Sequence, residues 1–171
     1  MKTVRLALCL TLLLPLAGCG FHLRNAVSLP ADLGPVAVVS SDPYSPLGQS
    51  VARLLESAGA TAADEGATEG IAKLELLSER WADTPIAIDQ FGRAQEYSLR
   101  YAVVFRMVRA DGTALVPQQA IEMSRDYVAP PTDAVGSNSE RELLVREMRR
   151  DMSAAIMRRV DAAVRGGARG P

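Results

Sequence analysis

The order of elements along the chain predicts an α+β fold, a two-layer sandwich in which two helices cover one face of a four-stranded mixed sheet. Three observations carry this reading. A short branched apolar stretch is followed by a helical period, three stretches suited to strands are joined by glycine turns, and the longest apolar stripe, repeating at three and four, comes last.

The first strand is Val36, Ala37, Val38 and Val39, continuously apolar as in a strand covered on both faces. Ser45 before Pro46 starts a helix, because the hydroxyl accepts from a free amide and proline lacks one to satisfy. Leu47, Val51, Leu54, Leu55 and Ala58 share a face of it, and Gly59 closes it. Residues 60–70 are small, acidic and glycine-containing, hence a loop. A second strand spans Ile71 to Ile88, with Leu74 and Leu76 opposed to Lys73 and Glu75 and a bend or break expected near Asp83 to Pro85. Asp89, Gln90, Phe91 and Gly92 turn the chain. Tyr97, Leu99, Tyr101, Val103, Phe105 and Met107 then alternate with polar neighbours, the mark of a long half-buried strand. After a tight turn at Ala110 to Thr113, a fourth strand runs from about Leu115 to Val128, with Pro117 marking its start or a sheet edge. Ser137 and Glu140 have capping-box spacing before a helix of about 25 residues, nearly 40 Å long. Its stripe is Leu144, Met148, Met152, Ala155, Ile156, Val160 and Ala163.

The chain has 171 residues, with 19 Lys and Arg against 20 Asp and Glu, which allows one domain plus appendages and gives no global reason to hold nucleic acid. Both cysteines, Cys9 and Cys19, lie at the very start, so the body folds without disulfides. Lys2 and Arg5 precede an apolar run from Leu6 to Leu16, the layout of an export signal and too short to span a bilayer. Leu16, Ala17, Gly18 and Cys19 resemble the lipobox of bacterial lipoproteins. The resemblance implies cleavage before Cys19, acylation of that residue, and, with Gly20 next, release to the outer membrane. The chain thus divides into a signal peptide at 1–18, an α/β domain at 19–164 and a glycine-rich basic tail at 165–171, expected to be disordered. Losing Lys2 and Arg5 leaves two fewer than the 19 basic side chains, against 20 acidic ones, a mildly acidic body.

Catalytic chemistry is thin. No glycine-rich phosphate loop follows the first strand, and the one histidine, His22, is better explained as a packed linker residue than as a ligand or base. No serine sits in a nucleophile-elbow context, and no cysteine beyond Cys19 is available as a nucleophile. The carboxylates of the last helix are interleaved with arginines, as in surface ion pairs. The inventory predicts a binding protein with no enzyme activity, cofactor or metal. Arg93, beside the glycine turn, and Arg100 and Arg106, on the polar face of the long strand, offer guanidinium forks for phosphate or carboxylate, with surface solubility as the competing account of each.

From Cys19 onward the chain resembles the LptE (RlpB-like) family of lipopolysaccharide-assembly lipoproteins. The resemblance rests on Cys19, Gly20, Phe21, His22, Leu23 and Arg24, on Leu29 with Pro30, on Pro46 with Leu47, on Gly92, Ala94, Glu96 and Tyr97, and on Val145, Arg146, Glu147 and Met148. It implies an outer-membrane lipoprotein on the periplasmic face that plugs the LptD β-barrel, assists its assembly, binds lipopolysaccharide and helps insert it into the outer leaflet. The alternative is a lipid-anchored periplasmic protein with a different partner. Where basic side chains in this family are linked to lipopolysaccharide contact, this chain places Gln90 and Ser137, which leaves Arg93 as the nearest cation.

Overall fold

The computed structural model describes residues 29, 33–64, 66–67, 69–130 and 136–166 and, in backbone, 134, 135 and 167; the expected signal segment, Cys19 and residues 168–171 lie outside them. The elements are β1 (Val36–Ser40), α1 (Pro46–Ser57), β2 (Ala72–Ile88), β3 (Ala94–Val108), β4 (Ala114–Val128) and α2 (Ala134–Gly167). They form a mixed sheet of order β1-β2-β3-β4, in which β1 and β2 are parallel and the other pairs antiparallel. Both helices lie on one face, as the sequence predicts. Here α1 sits over β1, while α2 covers β4 and touches β3 and α1.

Burial follows the sequence periods. Leu99, Tyr101, Val103, Phe105 and Met107, the inward side of β3, are each 0% exposed, as are Met148, Met152, Ile156 and Val160 of α2. They join one core with Leu47, Val51 and Leu55 of α1 and with Val36, Leu74 and Leu76. Removing such a side chain from water contributes about 1.5–3 kcal/mol, so these residues hold the two layers together. Ser45 caps α1 through its Oγ, which accepts from the Gly48 amide at 3.1 Å. Both hairpins close alike: Gly92 (φ 77°) and Gly112 (φ 83°) donate to Asp89 and Arg109 carbonyls three residues back.

The irregularity expected near Asp83 to Pro85 is a register shift between Pro85 and Ala87 and not an interruption, since the strand continues to Ile88; an earlier bulge, at Leu77, is not foreseen by the alternation. One extra residue there reverses the parity of the stretch from Ser78 to Pro85. Leu74 and Leu76 point into the core before the bulge, whereas Glu79, Trp81 and Asp83 point toward the helices after it, opposite Val103, Tyr101 and Leu99. The last helix begins a turn before the expected cap, at Ala134, so Ser137 lies inside it and is buried. At 34 residues it is about 51 Å long and includes Arg165 and Gly166 of the expected tail. Pro117 sits at an irregularity of the edge strand β4, where a missing N–H is tolerated.

The reversed parity places polar groups under the helices, and each finds a partner. Glu79 accepts from Ser45 Oγ at 2.9 Å and from the Tyr101 hydroxyl at 2.8 Å. Burial, followed by the hydrogen bond to Glu79, pushes the Tyr101 phenol well above its ordinary range. Trp81 stacks on Tyr101 with centroids 3.7 Å apart, and the Arg149 guanidinium of α2 lies 5.6 Å from the Trp81 ring centroid. Asp83 accepts from both Nε (3.0 Å) and Nη2 (2.7 Å) of Arg141 on α2 and from the Tyr127 hydroxyl at 3.0 Å.

The Arg141 hydrogen bond holds the Asp83 carboxyl below its ordinary value of 3.8. A depressed folded-state pKa contributes stability that is present above the unfolded value and lost as pH falls below it. Asp83→Asn is therefore expected to lower stability at neutral pH by no more than about 1 kcal/mol, because the pair is partly solvated. It should also flatten the decline between about pH 4 and about pH 2. Urea titrations followed by Trp81 fluorescence check this, and an acid limb identical to the parent's would refute the assignment.

Candidate functional site

Among the described residues no cluster of His, Cys, Asp and Glu can hold a metal ion, and no described helix is long and apolar enough to cross a membrane. Two surfaces that the helices do not cover are candidates, the β2–β3 hairpin tip and the open sheet face.

The tip is built around Asp89. Its Oδ1 accepts from the amides of Phe91 (2.8 Å) and Arg93 (2.9 Å), and its Oδ2 from Arg93 Nε (2.8 Å) and Gln95 Nε2 (3.2 Å). These bonds, led by the Arg93 amide, keep its carboxyl ionised below the ordinary range. Arg93 is thus an organised cation: one nitrogen is bound to Asp89 while the guanidinium carbon lies 5.2 Å from the Phe91 ring centroid. Phe91 is 72% exposed, Ile88 67%, Ile86 50% and nearby Val128 54%, so the cation sits amid exposed apolar surface. Gln90 is exposed on the same turn, whereas Ser137 is buried in α2 and cannot offer a surface contact.

The open face carries the outward residues of all four strands and is largely polar. Arg106 pairs with Glu75 across to β2, and Arg100 Nη1 lies 3.7 Å from Glu122 Oε1 on β4. Arg100 and Arg106 share this face but are separated by six strand residues, about 20 Å, and Arg93 stands apart at the tip. The three arginines singled out in the sequence do not converge on one ligand. Their pairing was not legible in the sequence, because Glu75 and Glu122 become neighbours only through strand register. The Asp89 loop did carry a signal, since an aspartate opening a glycine turn favours bonds to the amides that follow it.

A family model described as LptE, lipopolysaccharide-assembly, matches residues 33–160. The LPS-assembly lipoprotein LptE of Photorhabdus laumondii subsp. laumondii is 31% identical over 156 residues, covering 88% of this chain and 84% of the relative. The protein of the same name from Pectobacterium atrosepticum is 29% identical over 144 residues, covering 84% of this chain and 77% of that one. Among solved structures, the crystal structure of rare lipoprotein B from Shewanella oneidensis superposes with a TM-score of 0.62 at 28% identity, covering 73% of this chain and 92% of that one. The solution structure of a lipoprotein B from Nitrosomonas europaea reaches 0.66 at 23% identity, covering 84% and 91%, and shares the fold.

Proposed function

The chain belongs to the LptE family of lipopolysaccharide-assembly proteins, and from that premise we propose that it is an outer-membrane lipoprotein, tethered through Cys19, that docks in the lumen of the LptD barrel as a non-catalytic plug. In that position it assists assembly of the barrel and insertion of lipopolysaccharide into the outer leaflet. The observation that carries this reading is the asymmetry of the sheet. One face is sealed by α1 and α2, while the other is covered by no described element and carries its own cross-strand ion pairs. A rigid layer with such a face suits the polar interior of a large barrel. The acyl chains on Cys19 would hold it at the membrane, since each buried methylene contributes about 0.8 kcal/mol.

For lipopolysaccharide the tip is the favoured contact. Arg93 offers the unbound part of its guanidinium to a phosphate, and Phe91, Ile88 and Ile86 offer apolar surface to the neighbouring acyl region. Arg100 and Arg106 present further cations along the open face, each by giving up a surface ion pair worth under about 1 kcal/mol.

Co-expression of the mature lipoprotein with the LptD barrel should yield a complex stable to purification in detergent. Recovery of the lipoprotein alone, or with some other envelope protein, would overturn the plug reading. For the tip, Arg93→Glu is expected to weaken lipopolysaccharide binding about tenfold, the equivalent of one charge-assisted hydrogen bond of roughly 1.4 kcal/mol. Unchanged affinity in a direct binding titration would remove Arg93 from the site.

A further inference from the structure

The two outer edges of the sheet are guarded very differently. On β4 the edge carries Pro117 at an irregularity and the charged pair Arg125 and Asp126, devices that discourage pairing with another strand. On β1 the sequence is Val36, Ala37, Val38, Val39 and Ser40, with no charge, no proline and no bulge. Val36 turns its backbone outward, donating to the Thr61 carbonyl at 2.8 Å and accepting from the Ala63 amide at 3.1 Å. The two-residue period of a strand aims the N–H and C=O of Val38 and Ser40 the same way. No backbone bond from a described residue reaches those four groups. An exposed ladder of this kind is a template for an added strand.

A cavity of about 330 Å³ runs beside that edge. Its far wall is Gln49, Ala52 and Glu56 of α1, and Ala60, Ala62 and Ala63 close the end where Val36 is already paired. The walls are mostly small, which leaves room for side chains from an incoming strand. Charge is one-sided: Asp42 and Glu56 line the cavity, and among the described residues no Lys or Arg does. On the opposite side of the edge, Val39 is 44% and Leu77 40% exposed, so an added strand would also cover apolar surface.

We propose that the groove between β1 and α1 is a peptide-binding site that takes an extended basic segment of another protein as a fifth strand. The segment would bond to Val38 and Ser40, place small side chains against Ala52 and Ala62, and set a Lys or Arg beside Asp42 and Glu56. Charge complementarity selects this occupant over a second copy of the chain, whose β1 carries no cation to meet either acid.

The probe is a fluorescein-labelled, acetylated peptide of sequence Arg-Val-Ala-Val-Ala-Arg, titrated by anisotropy against the full mature chain in detergent. Saturable binding is expected, with Kd on the order of 100 μM. It should weaken at least tenfold when both arginines of the probe are replaced by glutamate, and likewise in Ala62→Trp, which fills the groove from an exposed position. Glu56→Lys, on the exposed side of α1, should weaken binding severalfold and reduce its salt dependence. Absence of saturation up to about 5 mM, or affinity indifferent to probe charge and to Ala62→Trp while circular dichroism shows both variants folded, overturns the proposal. Slow amide exchange at Val38 and Ser40 without peptide also overturns it. That result would mean that the chain's own N-terminal segment or a second copy already fills the groove, and sedimentation separates the two.

Discussion

The structure depends on the burial of one side of β3. Leu99, Tyr101, Val103, Phe105 and Met107 have no contact with solvent, and the strand that bears them lies between two others in the sheet. The layer of helices on that side hides them, and the Met148, Met152, Ile156 and Val160 stripe of α2 joins Leu47, Val51 and Leu55 of α1 in it. With α1 and α2 both committed to the apolar side, none of the described elements covers the other. Among the described residues the open polar face is thus a consequence of the core.

That face is close to electrically self-sufficient. Glu75 with Arg106 and Arg100 with Glu122 pair between neighbouring strands, the cross-strand arrangement that supports a sheet. A surface of this kind sheds little stability when it meets another polar wall, because its ion pairs are weak enough to exchange partners. The tip differs in character. There a single carboxylate, Asp89, organises two backbone amides, the Gln95 side-chain amide and one guanidinium within a patch of exposed Ile and Phe, giving a small amphipathic point at the end of a hairpin.

Much of this was legible in the sequence, and the parts that were not share a physical cause. The alternation from Tyr97 to Met107 and the stripe from Leu144 to Ala163 identify their buried sides directly, because period and burial are the same fact. The bulge at Leu77 leaves no mark in the alternation, because Leu76 is buried and the adjacent Leu77 is exposed, as in an unbroken strand. Simple alternation continued from Leu74 and Leu76 would put Glu79, Trp81 and Asp83 on the open face, so the Asp83 bond to Arg141, which ties α2 to β2, is not legible in the sequence. The Ser137 and Glu140 spacing is a local pattern, and the helix runs through it, starting three residues earlier with Ser137 buried inside. The arginines were visible by residue type, but whether a guanidinium is free depends on which acid the register brings beside it.

The central claim is that the sheet side left bare by the helices is the side that meets a partner. Single-cysteine variants Thr84→Cys and Ser124→Cys place thiols there, and acylation of Cys19 would leave the mature chain no competing thiol. Alkylation rates measured with and without co-expressed LptD barrel test the claim directly. Labelling at least about tenfold slower at both positions is expected in the complex; equal rates in the two states would mean that this face is not the one that docks.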